Sequence, residues 1–261
     1  MTQPSAFRRS FGGLIQRVAI ILCAATLILA GWHGTALAEI PSGCDPKPAP
    51  QKLDATRPIN LGQLQLQLIY YRCTRYDGEL AKALGPARHW LASRAAHVNK
   101  AALVLDIDET SLSNWKEIYQ NNFGYITAGP CDFSKGSACG AAAWDLSASA
   151  EAIKPTLDLF NVAKADHVAV FFITGRDERP EERAATETNL QKAGFVGWQK
   201  LYMRTKDFGG PSVAPFKTWA RRDIEAQGYK IIANVGDQWS DLNGGHSERR
   251  FKLPNPFYYI P

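Results

Sequence analysis

Asp106 and Asp108 stand two residues apart at the end of an apolar run, Leu103-Val104-Leu105-Asp106-Ile107-Asp108-Glu109-Thr110. The run reads as a buried strand, and buried carboxylates cost several kcal/mol unless a cation or donors compensate. Two further clusters follow apolar runs. Thr174-Gly175-Arg176 comes directly after Phe171-Phe172-Ile173, and Gly236-Asp237-Gln238-Trp239-Ser240-Asp241 comes directly after Ile231–Val235. Lys217 precedes the last of these on an intervening helix pattern. Each piece alone is common. In a parallel sheet, however, strand ends converge on one crevice.

The set makes chemical sense for phosphoryl transfer. Asp106 and Asp237 can share one hard cation, and Mg2+ takes oxygen ligands while keeping waters. Such a cation offsets the repulsion between an anionic nucleophile and a phosphate. Asp106 can then attack phosphorus and form an aspartyl-phosphate. Asp108 can protonate the leaving alkoxide and later take a proton from water. Thr174 offers a hydroxyl, Gly175 a close backbone approach, and Lys217 a positive charge for phosphate oxygens. A calcium loop starting at Asp106 is disfavoured, because Ser111 stands where such a loop needs glycine.

The elements that must position these groups alternate. Leu61 to Ala96 reads as two helices broken near Gly78 or Gly85-Pro86. Ala101–Ile107 is the first strand and His167–Ile173 the second. Leu201–Met203 is a short third strand and Tyr229–Val235 a fourth. Helices are expected over Ile153–Ala165, Glu181–Ala193 and Phe216–Gln227. Pro180 and Gly194 punctuate the second of these. Strands alternating with helices imply an α/β fold, a Rossmann-like parallel sheet flanked by helices. Ser113 to Leu146 shows no period and reads as an insertion over the sheet edge.

Residues 1–38 form a different kind of segment. Arg8, Arg9 and Arg17 precede an apolar stretch from Val18 to Ala30, and Ala36-Leu37-Ala38 follows. This is the pattern of a signal peptide cleaved before Glu39. Arg8-Arg9-Ser10-Phe11 also partly matches a twin-arginine signal, and both export routes stay open. Cys23 lacks the small residues that precede a lipidated cysteine. The expected destination is the periplasm or the exterior, with no stable membrane anchor after cleavage. The full chain carries a net charge of +5. Without the three arginines, 27 basic residues face 25 acidic ones, a net of +2. No nucleic-acid footprint remains. Cys44, Cys73, Cys131 and Cys139 form an even set suited to an oxidising compartment. Of three possible pairings, Cys44–Cys73 with Cys131–Cys139 is preferred. No CxxC or nearby histidine supports a zinc site.

The chain resembles the haloacid-dehalogenase superfamily, specifically the class B/C-type secreted acid phosphatases that include plant vegetative storage proteins. The likeness is carried by Val104-Leu105-Asp106-Ile107-Asp108-Glu109-Thr110-Ser111-Leu112-Ser113-Asn114, Ile173-Thr174-Gly175-Arg176, Lys217 and Gly236-Asp237-Gln238-Trp239-Ser240-Asp241-Leu242. The tail Phe251–Ile260 is similar to the plant branch. The resemblance implies a phosphatase core over residues 101–261 with a small cap insertion at about 114–146; residues 39–100 read as an N-terminal lead-in, irregular over 39–57, and a helical extension packing on that core. The resemblance also implies Asp106 as nucleophile and Asp108 as acid/base. Thr174, Gly175 and Lys217 become the phosphate-binding set. Asp106, the Asp108 carbonyl and Asp237 become the Mg2+ ligands, with Asp241 supporting the metal or the lysine. Some storage-protein relatives lack the nucleophile; this chain has it. Two segments depart from the family pattern: Trp115-Lys116-Glu117-Ile118-Tyr119, and the Cys131–Cys139 loop.

The expected activity is Mg2+-dependent hydrolysis of small phosphomonoesters, with nucleoside monophosphates as one candidate class. A phosphotransferase, a non-catalytic storage or ligand-binding protein, and a dehalogenase are the competing readings. Asp108 and Asp237 count against the dehalogenase. Thr110 reads as a helix N-cap and Arg176 as a loop-holding residue. Trp115, Tyr119 and Phe123 read as packing at helical spacing. Trp239 is also expected to pack, and the tail Pro254–Tyr259 to cover the sheet. His89, His97, His167 and His246 show no ligand spacing.

Overall fold

The computed structural model describes Cys44, Lys52, Thr56 and residues 58–261. The expected signal segment, residues 1–38, and most of the stretch to residue 57 lie outside the described residues.

Two helices open the described chain, α1 (Leu61–Thr74) and α2 (Tyr76–Arg94). The Asn60 side chain caps α1 by accepting from the Gln63 N–H at 3.1 Å. The helix break falls at Arg75, not at Gly78 or Gly85-Pro86. Gly85 and Pro86 are exposed, while Tyr76, Leu80, Leu84, Ala87 and Leu91 line one buried stripe through them. Burying that continuous face outweighs the one hydrogen bond lost at Pro86.

The first strand, β1 (Ala101–Leu105), leads into a two-residue strand β2 (Leu112–Ser113). Short helices α3 (Trp115–Gln120) and α4 (Ala141–Ser147) follow, then β3 (Glu151–Ala152) and α5 (Lys154–Ala165). Next come β4 (Ala169–Asp177), α6 (Pro180–Lys192), β5 (Lys200–Arg204), α7 (Ala214–Ala226), β6 (Lys230–Gly236), α8 (Trp239–Leu242) and β7 (Arg249–Lys252). The main sheet has the order β5-β4-β1-β6-β7, with every neighbour pair parallel. It therefore has one strand more than the sequence implied. β7 is a charged edge strand, Arg249-Arg250-Phe251-Lys252, with only Phe251 buried.

The sheet is buried on both faces, as parallel sheets are. Leu103 and Leu105 face the core shared with α2 and α5, together with Val170, Phe172, Leu201 and Met203. Ala102 and Val104 face the opposite way, with Phe171, Ile173, Tyr202 and the α7 residues Phe216, Ala220 and Ile224. This alternation fixes which side chain each strand sends to each layer.

The segment between β1 and β4 is tied at its neck. β2 and β3 pair antiparallel, Leu112 with Ala152 and Ser113 with Glu151, and the Ile153 N–H donates to Ser111 O at 2.9 Å. Cys131 and Cys139 are bonded within the insertion, and Cys44 is bonded to Cys73 at the end of α1. Both pairs are the preferred ones. Asn121 holds Cys139 from both sides, accepting from its N–H and donating to its carbonyl, each at 2.8 Å.

Candidate active site

β1, β4 and β6 are adjacent and end on the same side, so the three motifs meet. Asp106 lies one residue past β1, and its N–H donates to Val235 O on β6 at 3.1 Å. The Ser111 hydroxyl donates to Asp106 O at 2.6 Å and closes the turn back toward β1. Glu109 takes a positive φ of 53° in this turn. Its carboxylate accepts from the Asn114 N–H at 2.6 Å and from the Tyr258 hydroxyl at 3.1 Å. Thr110 is not a helix cap. Its hydroxyl instead donates to Asp237 Oδ1 at 3.0 Å.

Carboxylate oxygens of Asp106, Asp237 and Asp241 lie within 4.8 Å of one another, and all three residues are buried. Lys217, from the first turns of α7, donates to Asp106 Oδ1 and to Asp241 Oδ1, the latter at 2.5 Å. Burial, then the Asp241 charge, push the Asp106 carboxyl well above its usual range. Burial and Asp241 likewise raise Asp237, to about 6. For Lys217, burial opposes the charge, but the two carboxylates outweigh it and raise its pKa. One ammonium among three buried carboxylates leaves negative charge uncompensated. Such a set has the oxygen donors and the charge deficit that suit a hard divalent cation.

The Asp108 carboxylate points into a second cluster. Arg176 Nη2 lies 2.6 Å from its Oδ1, Arg176 Nε 3.2 Å from both oxygens, and Asn114 Nδ2 2.9 Å from Oδ1. Burial disfavours the Asp108 charge, but Arg176 and Asn114 outweigh it and hold the carboxyl below its ordinary value. Thr174 Oγ1 donates to Asp108 Oδ2 over a long 3.4 Å and accepts from the Arg176 N–H at 3.1 Å. Gly175 has little room: an added Cβ would lie 3.2 Å from Val213 Cγ1. Arg176 also bonds Asp145 of α4 at 3.1 Å. The expected loop-holding arginine thus binds the acid/base candidate itself.

Several neighbours of the site were given no role from the sequence, although some stand inside the quoted motifs. Asn114 joins three acidic or aromatic groups: Asp108, Glu109 and the Trp144 Nε1–H, which donates to Asn114 Oδ1 at 2.8 Å. Glu117 on α3 is only 9% exposed, and burial raises its carboxyl to about 7. Arg221, fully buried, clamps the loop after Asp241 by donating to the carbonyls of Asp241 and Gly245 at 2.6 and 2.8 Å. Gly236 is obligatory, since a Cβ there would overlap the Asp241 side chain. Trp239, expected to pack, is 53% exposed. Trp115 does pack, against Tyr119, Phe123 and Phe257. The tail packs on the core that the sheet shares, through Phe257, and reaches the site through Asn255 and Tyr258. His89, His97 and His167 are exposed, and His246 pairs with Glu225 at 2.7 Å.

Residues 55–261 match the family model described as HAD superfamily, subfamily IIIB (acid phosphatase). The chain belongs to this family. Within it, acid phosphatase 1 of Solanum lycopersicum is 37% identical over 158 residues, 60% of this chain and 58% of that protein. A stem 28 kDa glycoprotein of Glycine max is 37% identical over 164 residues, and vegetative storage protein 1 of Arabidopsis thaliana 31% over 161. The matches to the first two span about three fifths of those relatives' length. The class C acid phosphatase of Bacillus anthracis shares the fold, with a TM-score of 0.59 at 21% identity over 76% of this chain and 86% of that one. The α/β sheet with flanking helices is the family's fold.

Proposed function

We propose that this protein is an exported, Mg2+-dependent acid phosphatase that hydrolyses small phosphomonoesters through an aspartyl-phosphate on Asp106. The observation that carries this reading is the buried set Asp106, Asp237 and Asp241 around Lys217, with Asp108 beside it. Asp106, Asp237 and the Asp108 carbonyl would hold the cation, and Asp241 would support it or Lys217. When bound, Mg2+ would supply Lewis-acid neutralisation of phosphate charge.

The chain's own groups divide the remaining work. Lys217 holds Asp106 through Oδ1, and Oδ2 accepts no hydrogen bond among the described residues. Oδ2 forms the bond to phosphorus as the bond to the leaving oxygen breaks. Thr174, the Gly175 N–H and Lys217 receive the phosphoryl oxygens, and the long Thr174–Asp108 bond is easily given up for this. The leaving alkoxide needs a proton. Arg176 keeps Asp108 ionised in the free protein, so the proton arrives with the substrate, a monoanion below about pH 6. Asp108 relays it to the leaving oxygen. In the second half Asp108 takes a proton from the attacking water and passes it to the departing phosphate, so that the Asp106 and Asp108 carboxylates are both regenerated.

The two disulfides support export to an oxidising compartment. A storage role without turnover is the second reading, favoured by the likeness to a vegetative storage protein. Hydrolysis of phenyl phosphate at mildly acidic pH separates them. The phosphatase reading expects turnover that EDTA abolishes and Mg2+ restores. It also expects Asp106→Asn to lose at least about 10³-fold in rate while remaining folded. Turnover in that variant, or indifference to EDTA, overturns the assignment.

A further inference from the structure

Asp237 accepts three side-chain hydrogen bonds. Its Oδ2 accepts from Gln238 Nε2 and from Asn255 Nδ2, each at 2.7 Å. Its Oδ1 accepts from the Thr110 hydroxyl at 3.0 Å. An ionised carboxylate has about four lone-pair sites. Both on Oδ2 are filled and one on Oδ1 is filled, so a single site, on Oδ1, is left.

The residues after β7 fix this arrangement. The Leu253 N–H donates to Gly236 O, next to Asp237, at 2.9 Å. The Phe257 N–H donates to Asn255 Oδ1 at 2.9 Å, which sets the amide so that its NH₂ meets Asp237. The Ile260 N–H donates to Gln238 Oε1 at 3.2 Å and sets the other amide in the same sense. Phe257 anchors the segment, its ring 5.0 Å from that of Tyr76 and 5.3 Å from that of Trp115. Two side-chain amides, each oriented by a tail N–H, therefore close one edge of Asp237.

We propose that Asn255 is a positioning residue that makes Asp237 a one-oxygen ligand, so that the site favours Mg2+ over Ca2+. Mg2+ takes near-octahedral, one-oxygen carboxylate ligands at short distance, whereas Ca2+ accepts two-oxygen carboxylates in a looser shell. Blocking Oδ2 removes the arrangement that Ca2+ uses and Mg2+ does not. The inference rests on the divalent-cation reading of the site. Partners of metal ligands of this kind are worth about 10–100-fold in metal affinity.

The test is calorimetric titration of the metal-free full-length protein with Mg2+ and with Ca2+, for the unchanged protein, Asn255→Ala and Tyr258→Phe. Thermal scans in EDTA report folding. Asn255→Ala is expected to bind Mg2+ about 10-fold more weakly and to lose most of the preference over Ca2+. Tyr258→Phe removes a tail anchor on Glu109 but leaves all three donors on Asp237, so it should lower the melting temperature without changing the preference. If Asn255→Ala does not fold, Asn255→Ser is read by the same ratio. An unchanged ratio in the Asn255 variant, or an equal change in Tyr258→Phe, overturns the inference alone. Absence of cation binding by the unchanged protein removes the cation reading, and this inference with it.

Discussion

Arg176 Nη2 sits 2.6 Å from Asp108 Oδ1, and the same nitrogen reaches Asp145 Oδ1 at 3.1 Å. One guanidinium thus joins the acid/base candidate at the end of the sheet to a helix of the inserted segment. Arg176→Gln leaves the half-buried Asp108 with Asn114 as its remaining strong donor, so its pKa rises. The acidic limb of kcat/KM, which reports groups of the free enzyme, should move to higher pH. A pH–rate profile that keeps the same limb would show that Arg176 does not control Asp108.

Asp108→Asn removes the proposed proton carrier but keeps a polar side chain of the same size. The loss should be largest for alkyl phosphates, about 10²–10⁴-fold. It should be smallest for phenols with electron-withdrawing groups, whose oxyanions leave without a proton. Equal losses across a leaving-group series would refute the acid role.

Gly236→Ala places a methyl group against the Asp241 side chain, which bonds Lys217. Asp241 must shift or β6 must move. Forcing such overlap in a packed site costs about 1–3 kcal/mol. A lower melting temperature together with weaker Mg2+ binding is expected. A variant with the unchanged protein's stability and cation affinity would contradict the packing argument.

Glu117 is buried and its carboxyl is raised to about 7 from 4.5. Between those values the folded chain binds more protons than the unfolded chain, so stability falls as pH rises through that window. Glu117→Gln removes the fall. Chemical denaturation at pH 8 should show the variant about 1–2 kcal/mol more stable than the unchanged protein, the full linkage value being reduced by residual solvent. Near pH 4.5 the two should agree. A parallel pH dependence in both proteins would count against a buried, ionisable Glu117.

The core of the site was legible because strand periodicity and strand-end acids are local signals. Asp106, Thr174 and Asp237 each follow a short apolar run, and a parallel sheet brings such ends together. The lining was not legible, for physical reasons that differ by residue. Asn114, Glu117 and Asp145 sit on or beside helices of six and seven residues, too short to show a period. Tyr258 meets Glu109 across 149 positions, a contact that no window of sequence can contain. β7 hides behind the charges that protect an edge strand from pairing with other chains. Pro86 misled because one exposed proline ring is a strong local signal but a weak energetic one beside a buried five-residue stripe. Trp239 misled because size and apolarity do not decide exposure at a helix start.

The β2–β3 pairing draws together the two ends of everything between Ser113 and Glu151. Loop-closure entropy for that stretch is met by two residue pairs at its base, outside the chemistry. Asn114 and Asp145, near the two ends of the stretch, reach Asp108 and Arg176, so a change in this segment is transmitted straight to the candidate acid/base.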